Sequence, residues 1–320
     1  MKTVFLDSCV ANPGDISWDR LEAIAPLTIY ERTSNVESPL IAERIGDAEI
    51  VITNKTPISR ATLEKCPNVQ IIAVIATGYN VVDTVAAAER GIPVCNVPGY
   101  ATANVAQLNI ALLLEICSHV GEHSRGVHEG RWTACPDFCY WDYPVIALGG
   151  MTAGIIGLGS IGQATAKILK ALGMKVLGSS NHRKDIPEDT VTQCDTERII
   201  EEADVIFLCC PMTPETAGII CKENISRMKD GVIIINTARG QLVIEEDLRA
   251  ALESGKVRAA AVDVASKEPI DGDNPLLEAP NCIITPHIGW LSDEARQLMM
   301  DTTCANIEAF LRGEMLNVVN

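Results

Sequence analysis

Short runs rich in Val and Ile, separated by longer stretches of helical period, constrain this chain more than any other feature. The runs fall at 3–7, 27–30, 48–53, 70–77 and 92–97, and again at 151–157, 174–180, 205–210, 231–236, 257–263 and 281–286. Helical patterning lies between the early runs, at 37–46, 59–65 and 82–90. A strand apolar along its whole length is buried on both faces, and helices in the connections allow such strands to run parallel. The class is therefore α/β, with doubly wound parallel sheets. At 320 residues the chain has length for about two domains.

Charge narrows the function classes. Lys and Arg number 26 against 42 Asp and Glu, a formal net charge of −16. Such a balance does not invite a phosphate backbone or an anionic membrane, so neither nucleic acid nor membrane is expected as a partner. The run Met1–Leu6 meets Asp7 at once and is too short for a signal peptide. No stretch approaches the length of an uncharged transmembrane helix. Twelve cysteines without a secretory signal read as free thiols, and the expected location is the cytoplasm.

Between the two series of runs the pattern predicts one long helix, about 102–128, and then an irregular segment, 131–150. That segment holds Trp132, Phe138, Tyr140, Trp141 and Tyr143, in a chain with only four Phe, four Trp and five Tyr. Two readings compete: a loop with its own satellite core, or an arm that packs on a partner subunit or rims a pocket. His119-Val120-Gly121-Glu122-His123 matches a zinc-peptidase pattern, H-x-x-E-H. Gly121 weakens the helix it needs and no third ligand is evident, while Cys135 and Cys139 lack a second pair. No metal is expected.

After the 151–157 run stands Gly157-Leu158-Gly159-Ser160-Ile161-Gly162, followed by a helical Gln163–Leu172 and a further run at 174–180. In that context the glycines permit a tight turn, close approach to a pyrophosphate and close helix–strand packing, and the helix N-terminus offers amides to phosphate. A dinucleotide cofactor follows. An acidic residue about 20 positions on would select NAD through the ribose hydroxyls. Here Ser180 stands in its place, with Asn181, Arg183 and Lys184 after it. Either the basic residues form a solvated turn, or Arg183 clamps a 2′-phosphate. NADP(H) is favoured, and NAD(H) remains possible.

Three patches follow, each at the end of a run: Asn236-Thr237-Ala238-Arg239-Gly240, Asp263 with Glu268-Pro269, and Thr285-Pro286-His287-Ile288-Gly289-Trp290. Arg239 can hold a carboxylate and polarise a carbonyl. His287 can give or take a hydroxyl proton, and Glu268 can fix its tautomer. The set suits carbonyl–alcohol redox chemistry.

These motifs, in this order, resemble those of the D-isomer-specific 2-hydroxyacid dehydrogenase family over nearly the whole chain. The resemblance implies Arg239 as substrate-orienting residue, Glu268 as the histidine's partner and His287 as proton donor. It implies Thr77 and Gly78 as backbone donors to the substrate carboxylate, Lys55 as a basic residue over the substrate, and Trp141 as a group reaching the partner's pocket. For the cofactor it implies Gly157, Gly159, Ser160, Ile161, Gly162, Ser180, Asn181, Arg183, Pro211, Thr216, Thr237, Ala238 and Gly289, with Asp263 at the nicotinamide carboxamide. The family fold is a flavodoxin-like substrate domain, 1–100 plus 289–320, with a Rossmann nucleotide domain, 101–288, inserted in it; a hinge between them would close over the cofactor. The family implies a homodimer with an arm at about 102–150. The segments around 76–80 and 137–144 are similar to the glycerate dehydrogenase and hydroxypyruvate reductase branch. A single basic residue in Thr53–Pro57 and the short stretch after His287 argue against 3-phosphohydroxypyruvate, and Glu268 argues against formate. A nucleotide-sensing corepressor, or a dehydrogenase of another 2-keto acid such as 3-phosphohydroxypyruvate or a bulkier one, is the alternative.

Overall fold

The computed structural model describes residues 1–320, which divide into two compact units: Met1–Tyr100 with Leu291–Asn320, and Ala101–Trp290. In the first unit strands and helices alternate as β1 (Thr3–Phe5), α1 (Asp19–Ile24), β2 (Leu27–Ile29), α2 (Pro39–Ile45), β3 (Ile50–Thr53), α3 (Arg60–Lys65), β4 (Ile71–Val74), α4 (Thr84–Glu89) and β5 (Val94–Cys95). All pairs are parallel, in the order β2-β1-β3-β4-β5. Every residue of β3 and β4 is buried, as runs apolar on both faces require. Each such Ile or Val contributes roughly 1.5–3 kcal/mol by leaving water. The helices are short but capped: Ser59 accepts from Thr62 N, and Asp83 from Ala86 N. The C-terminal helix Asp293–Leu311 returns to this unit, where buried Arg296 forks Asp15 at 2.8 and 2.5 Å.

The second unit opens with α5 (Thr102–Ser118) and α6 (Val120–His128). It continues through β6 (Thr152–Ile156), α7 (Ser160–Ala171), β7 (Lys175–Ser179), β8 (Thr192–Gln193), α8 (Thr196–Glu202), β9 (Val205–Leu208) and α9 (Lys222–Arg227). It ends with β10 (Val232–Asn236), α10 (Glu245–Ser254), β11 (Val257–Val262) and β12 (Cys282–Ile284). The seven strands are parallel in the order β12-β11-β10-β9-β6-β7-β8. Winding reverses between β6 and β9, and in open α/β sheets that switch point is where ligands bind, at the carboxyl ends of the strands.

The expected single helix over 102–128 is corrected to two. His119 adopts φ 48°, ψ 43°, ending α5 in the left-handed region, and α6 leaves at 55° to it. Its ring stacks on Tyr143 at 4.4 Å between centroids, a contact that holds the break. Buried Asn109 fastens α5 internally: Nδ2 donates to Thr165 Oγ1 at 3.1 Å, and Oδ1 accepts from Thr237 Oγ1 at 2.8 Å. No single helix is long and apolar enough to cross a membrane.

All twelve cysteines are free thiols. Burial pushes Cys95, Cys117 and Cys304 up to about 11, so almost none of their thiolate exists at neutral pH. Cys139 is exposed. A mild disulfide reagent at pH 7.5 is therefore expected to label Cys139 first and to spare Cys95, Cys117 and Cys304 until the chain is unfolded; peptide mapping reads the order directly.

Candidate active site

The glycine loop begins where β6 ends. Gly157 sits at φ +106°, and a Cβ there would lie 2.5 Å from Cys210 N. A Cβ on Gly162 would lie 2.1 Å from the Gly157 carbonyl. These two glycines bring the loop against the β9 end and seat α7 against the loop. Gly159 differs, since a Cβ there would meet nothing within 4 Å. It borders open space at the start of a 12-residue helix, and the first amides of a helix, here those of Ser160, Ile161 and Gly162, have no intrahelical acceptor. A backbone cradle with free donors and no side chain in the way fits a pyrophosphate.

Beyond β7, Ser180 Oγ donates to the His182 carbonyl at 2.6 Å and folds the turn. Gln193 holds its far end by accepting from Lys184 N and donating to Lys184 O, both at 2.8 Å. Between these anchors Asn181 and Arg183 stand exposed, and no carboxylate occupies position 180. At the end of β9, Thr216 Oγ1 donates to the Pro211 carbonyl at 2.8 Å and closes that turn.

The Arg239 turn is shaped by Asn236, whose Oδ1 accepts from Ala238 N at 3.0 Å while Nδ2 donates to Arg239 O at 2.8 Å. Arg239 itself is exposed. Gly240 makes this turn possible beside its neighbour: a Cβ there would sit 1.9 Å from the Ala265 carbonyl carbon. The loop after β11 therefore lies directly against the Arg239 turn, and that loop carries Glu268. Buried Glu245 ties the same loop down, accepting from Ser266 N at 2.9 Å, Ser266 Oγ at 2.6 Å and Asn274 Nδ2 at 2.9 Å.

Glu268 Oε2 stands 2.7 Å from His287 Nδ1. A carboxylate there makes Nδ1 the protonated nitrogen and leaves Nε2 for other chemistry. His287 holds φ +56°, uncommon for a non-glycine residue. Asp263, 2 % exposed, accounts for how that turn is held. Its Oδ1 accepts from Thr285 Oγ1 at 2.6 Å and Ile288 N at 2.9 Å, and Oδ2 from Gly289 N at 2.8 Å. Asp263, the residue expected at the nicotinamide carboxamide, thus also grips the chain on both sides of His287.

Other expected residues belong to other segments of the chain. Lys55, Thr77 and Gly78 belong to the first unit. There Thr77 Oγ1 donates to Val97 O and Asn96 Nδ2 donates to Thr77 O, both at 2.8 Å. With hydroxyl and carbonyl used internally, Thr77 has only its backbone amide to offer a ligand. Trp141 is 71 % exposed on the 131–150 segment, as are Phe138 at 89 % and Trp132 at 52 %. These rings do not form a satellite core. In the H-x-x-E-H segment His123 Nδ1 faces the His119 carbonyl at 2.9 Å, and His119 is at the helix break rather than one turn along the same face. Sequence reasoning missed Asp7, Glu245, Gly240 and Asn109; an internal Gly in N-T-A-R-G was the one available signal among them.

Residues 110–289 match the model of the D-isomer specific 2-hydroxyacid dehydrogenase NAD-binding domain. A hydroxypyruvate reductase of Blautia hydrogenotrophica is 55% identical over 321 residues, covering 100% of both chains. A Thermus thermophilus protein of known structure, TT0316, superposes with TM-score 0.88 at 32% identity over the full length of both. An NADPH-dependent glyoxylate/hydroxypyruvate reductase of Sinorhizobium meliloti, solved with NADP and malonate, superposes with TM-score 0.83 at 26% identity, covering 99% of this chain and 96% of that one. With its switch-point glycine cradle and its His–Glu pair at the strand ends, the chain belongs to the D-isomer-specific 2-hydroxyacid dehydrogenases, nicotinamide-dependent oxidoreductases acting on CH–OH groups.

Proposed function

We propose that this chain reduces hydroxypyruvate, and with it glyoxylate, to the 2-hydroxy acid, using NADPH in preference to NADH. The observation that carries the chemistry is the 2.7 Å pairing of His287 Nδ1 with Glu268, which leaves Nε2 for proton transfer at the carboxyl-end edge of the sheet that also carries the nucleotide cradle. The full-length similarity to a hydroxypyruvate reductase supports the substrate.

A nicotinamide dinucleotide, held by Gly157–Gly162 with Ser180, Asn181, Arg183, Pro211, Thr216, Thr237, Ala238 and Gly289 around it, supplies hydride chemistry. The remaining work belongs to side chains. Arg239 offers a planar fork to the substrate carboxylate and polarises the carbonyl beside it. Lys55 and the Thr77–Gly78 backbone are the further donors we assign to that carboxylate. His287 gives its Nε2 proton to the forming alkoxide, and Glu268 stabilises the imidazolium that makes the transfer favourable. In the reverse direction the same imidazole, neutral, takes the hydroxyl proton.

For the cofactor, the missing carboxylate at 180 and the exposed Arg183 support a 2′-phosphate. The exposed Trp132, Phe138 and Trp141 support the 102–150 region as a dimer arm, with Trp141 reaching the partner. Twelve free thiols suit the cytoplasm.

The direct test follows nicotinamide absorbance with NADPH and NADH against hydroxypyruvate, glyoxylate, pyruvate and phenylpyruvate. Turnover should be fastest with hydroxypyruvate and NADPH; preference for phenylpyruvate would overturn the substrate assignment. His287→Ala should lower kcat by about 10²–10⁴-fold while cofactor affinity, read by fluorescence titration, stays near that of the parent. Parental turnover would remove His287 from the proton step. Ser180→Asp should shift the kcat/KM ratio toward NADH, and an unchanged ratio would show that the 180–184 turn does not read the 2′ position.

A further inference from the structure

Asp7 closes β1 in the first unit, far along the chain from every residue assigned above. Its carboxylate is buried, 9 % exposed, and three consecutive amides converge on it: Asn54 N at 2.8 Å, Lys55 N at 2.6 Å and Thr56 N at 2.7 Å. The parallel register that sets Phe5 beside Ile52 brings the β1 end to the start of this loop. Three amides in a row form a concave donor group, and only an acceptor with several lone pairs answers all of them. Thr53 Oγ1 adds a bond to Thr56 O at 2.8 Å.

Burial within the loop is selective. Asn54 is 6 % exposed and Thr56 0 %, whereas Lys55 between them is exposed. The loop is thus fastened on both sides of one residue. Its downstream end is fastened as well, since Ile58 N donates to Val81 O at 2.8 Å and Asp83 N donates to Ile58 O at 2.9 Å. Lys55 and the segment that follows Thr77–Gly78 therefore belong to one fixed block of the first unit.

We propose that Asp7 is a positioning residue for substrate recognition: by gathering the Asn54, Lys55 and Thr56 amides, its buried carboxylate fixes the backbone from which Lys55 presents its ammonium to the 2-keto acid. The inference rests on the assignment of Lys55 to the substrate carboxylate. A long flexible side chain contributes little to recognition unless its attachment point is held, because ordering it on binding costs entropy. Asp7 places the cost of ordering the backbone beneath Lys55 in the folded protein rather than in the complex.

The experiment is a double-mutant cycle with hydroxypyruvate and saturating NADPH. Asp7→Asn keeps the side-chain shape but offers one acceptor oxygen and turns an NH2 toward amide donors. Asp7→Asn and Lys55→Ala should each raise KM by about tenfold, and the double variant should be no worse than Lys55→Ala alone. NADPH affinity, which depends on residues of the other unit, should not move in Asp7→Asn. An unchanged KM in Lys55→Ala would overturn the Lys55 assignment and the inference with it. A raised KM there with parental KM in Asp7→Asn, or effects that multiply in the double variant, would overturn the inference alone. If Asp7→Asn does not fold, amide hydrogen exchange on the parent decides: strong protection at Asn54, Lys55 and Thr56 is expected, and exchange at unstructured-loop rates would refute the clamp.

Discussion

A carboxylate removed from water needs a donor for nearly every lone pair, and Asp263 answers that need by taking three donors from a single five-residue turn. Two are backbone amides immediately after His287, and the third is the hydroxyl two residues before it. The turn between has little freedom left, which is how His287 is kept at a positive φ without glycine. Placement of the imidazole and its approach to Glu268 both depend on that one buried carboxylate. Loss of Asp263 would leave two amides and a hydroxyl to find other partners, and the turn that carries the histidine would lose its main side-chain tie.

Close backbone approach is the second constraint. Gly157, Gly162 and Gly240 stand where a methyl group would enter the backbone of another segment. The first two bring the nucleotide loop against β9 and α7 against the loop. The third lets the Arg239 turn touch the Ala265–Ser266 backbone, so that arginine and glutamate, whose strands are neighbours in the sheet, also share their loops. Glu245 then holds the Ser266 side of the same contact from beneath. A guanidinium, a carboxylate and an imidazole are thus brought to the strand ends by backbone geometry more than by attraction among themselves.

The strands are legible in the sequence because burial on both faces forbids polar residues at alternate positions: Ile71–Val74 and Val205–Leu208 read as strands at sight. The helices α8 and α9 are only one to two turns long, too short for a 3.6-residue period to declare itself. The break at His119 is invisible to periodicity, since one left-handed residue leaves the apolar spacing on either side intact. At the site, residue types and their order mark Arg239, Glu268 and His287, because each sits just past an apolar run. Glu245 carries no such mark, and Asp7, though it ends the first run, belongs to no motif that would single it out. Their partners are amides and hydroxyls supplied by distant segments, and only the folded register shows which ones.

Asp7 and Asp263 apply the same device in two sheets of different strand order: an aspartate at or just past the end of a strand collects successive donors from a loop remote in sequence. The consequence concerns length more than identity. An insertion of one residue within 54–56 or 287–289 would carry an amide out of reach of its carboxylate and turn the exposed side chain to a new bearing, whatever residue was added. The 180–184 turn is anchored only at its ends, and the 131–150 segment carries its aromatic rings outward. Both can lengthen or shorten without disturbing a buried charge. These two segments are therefore open to insertion and deletion, while the His287 turn and the Lys55 loop are open only to substitution.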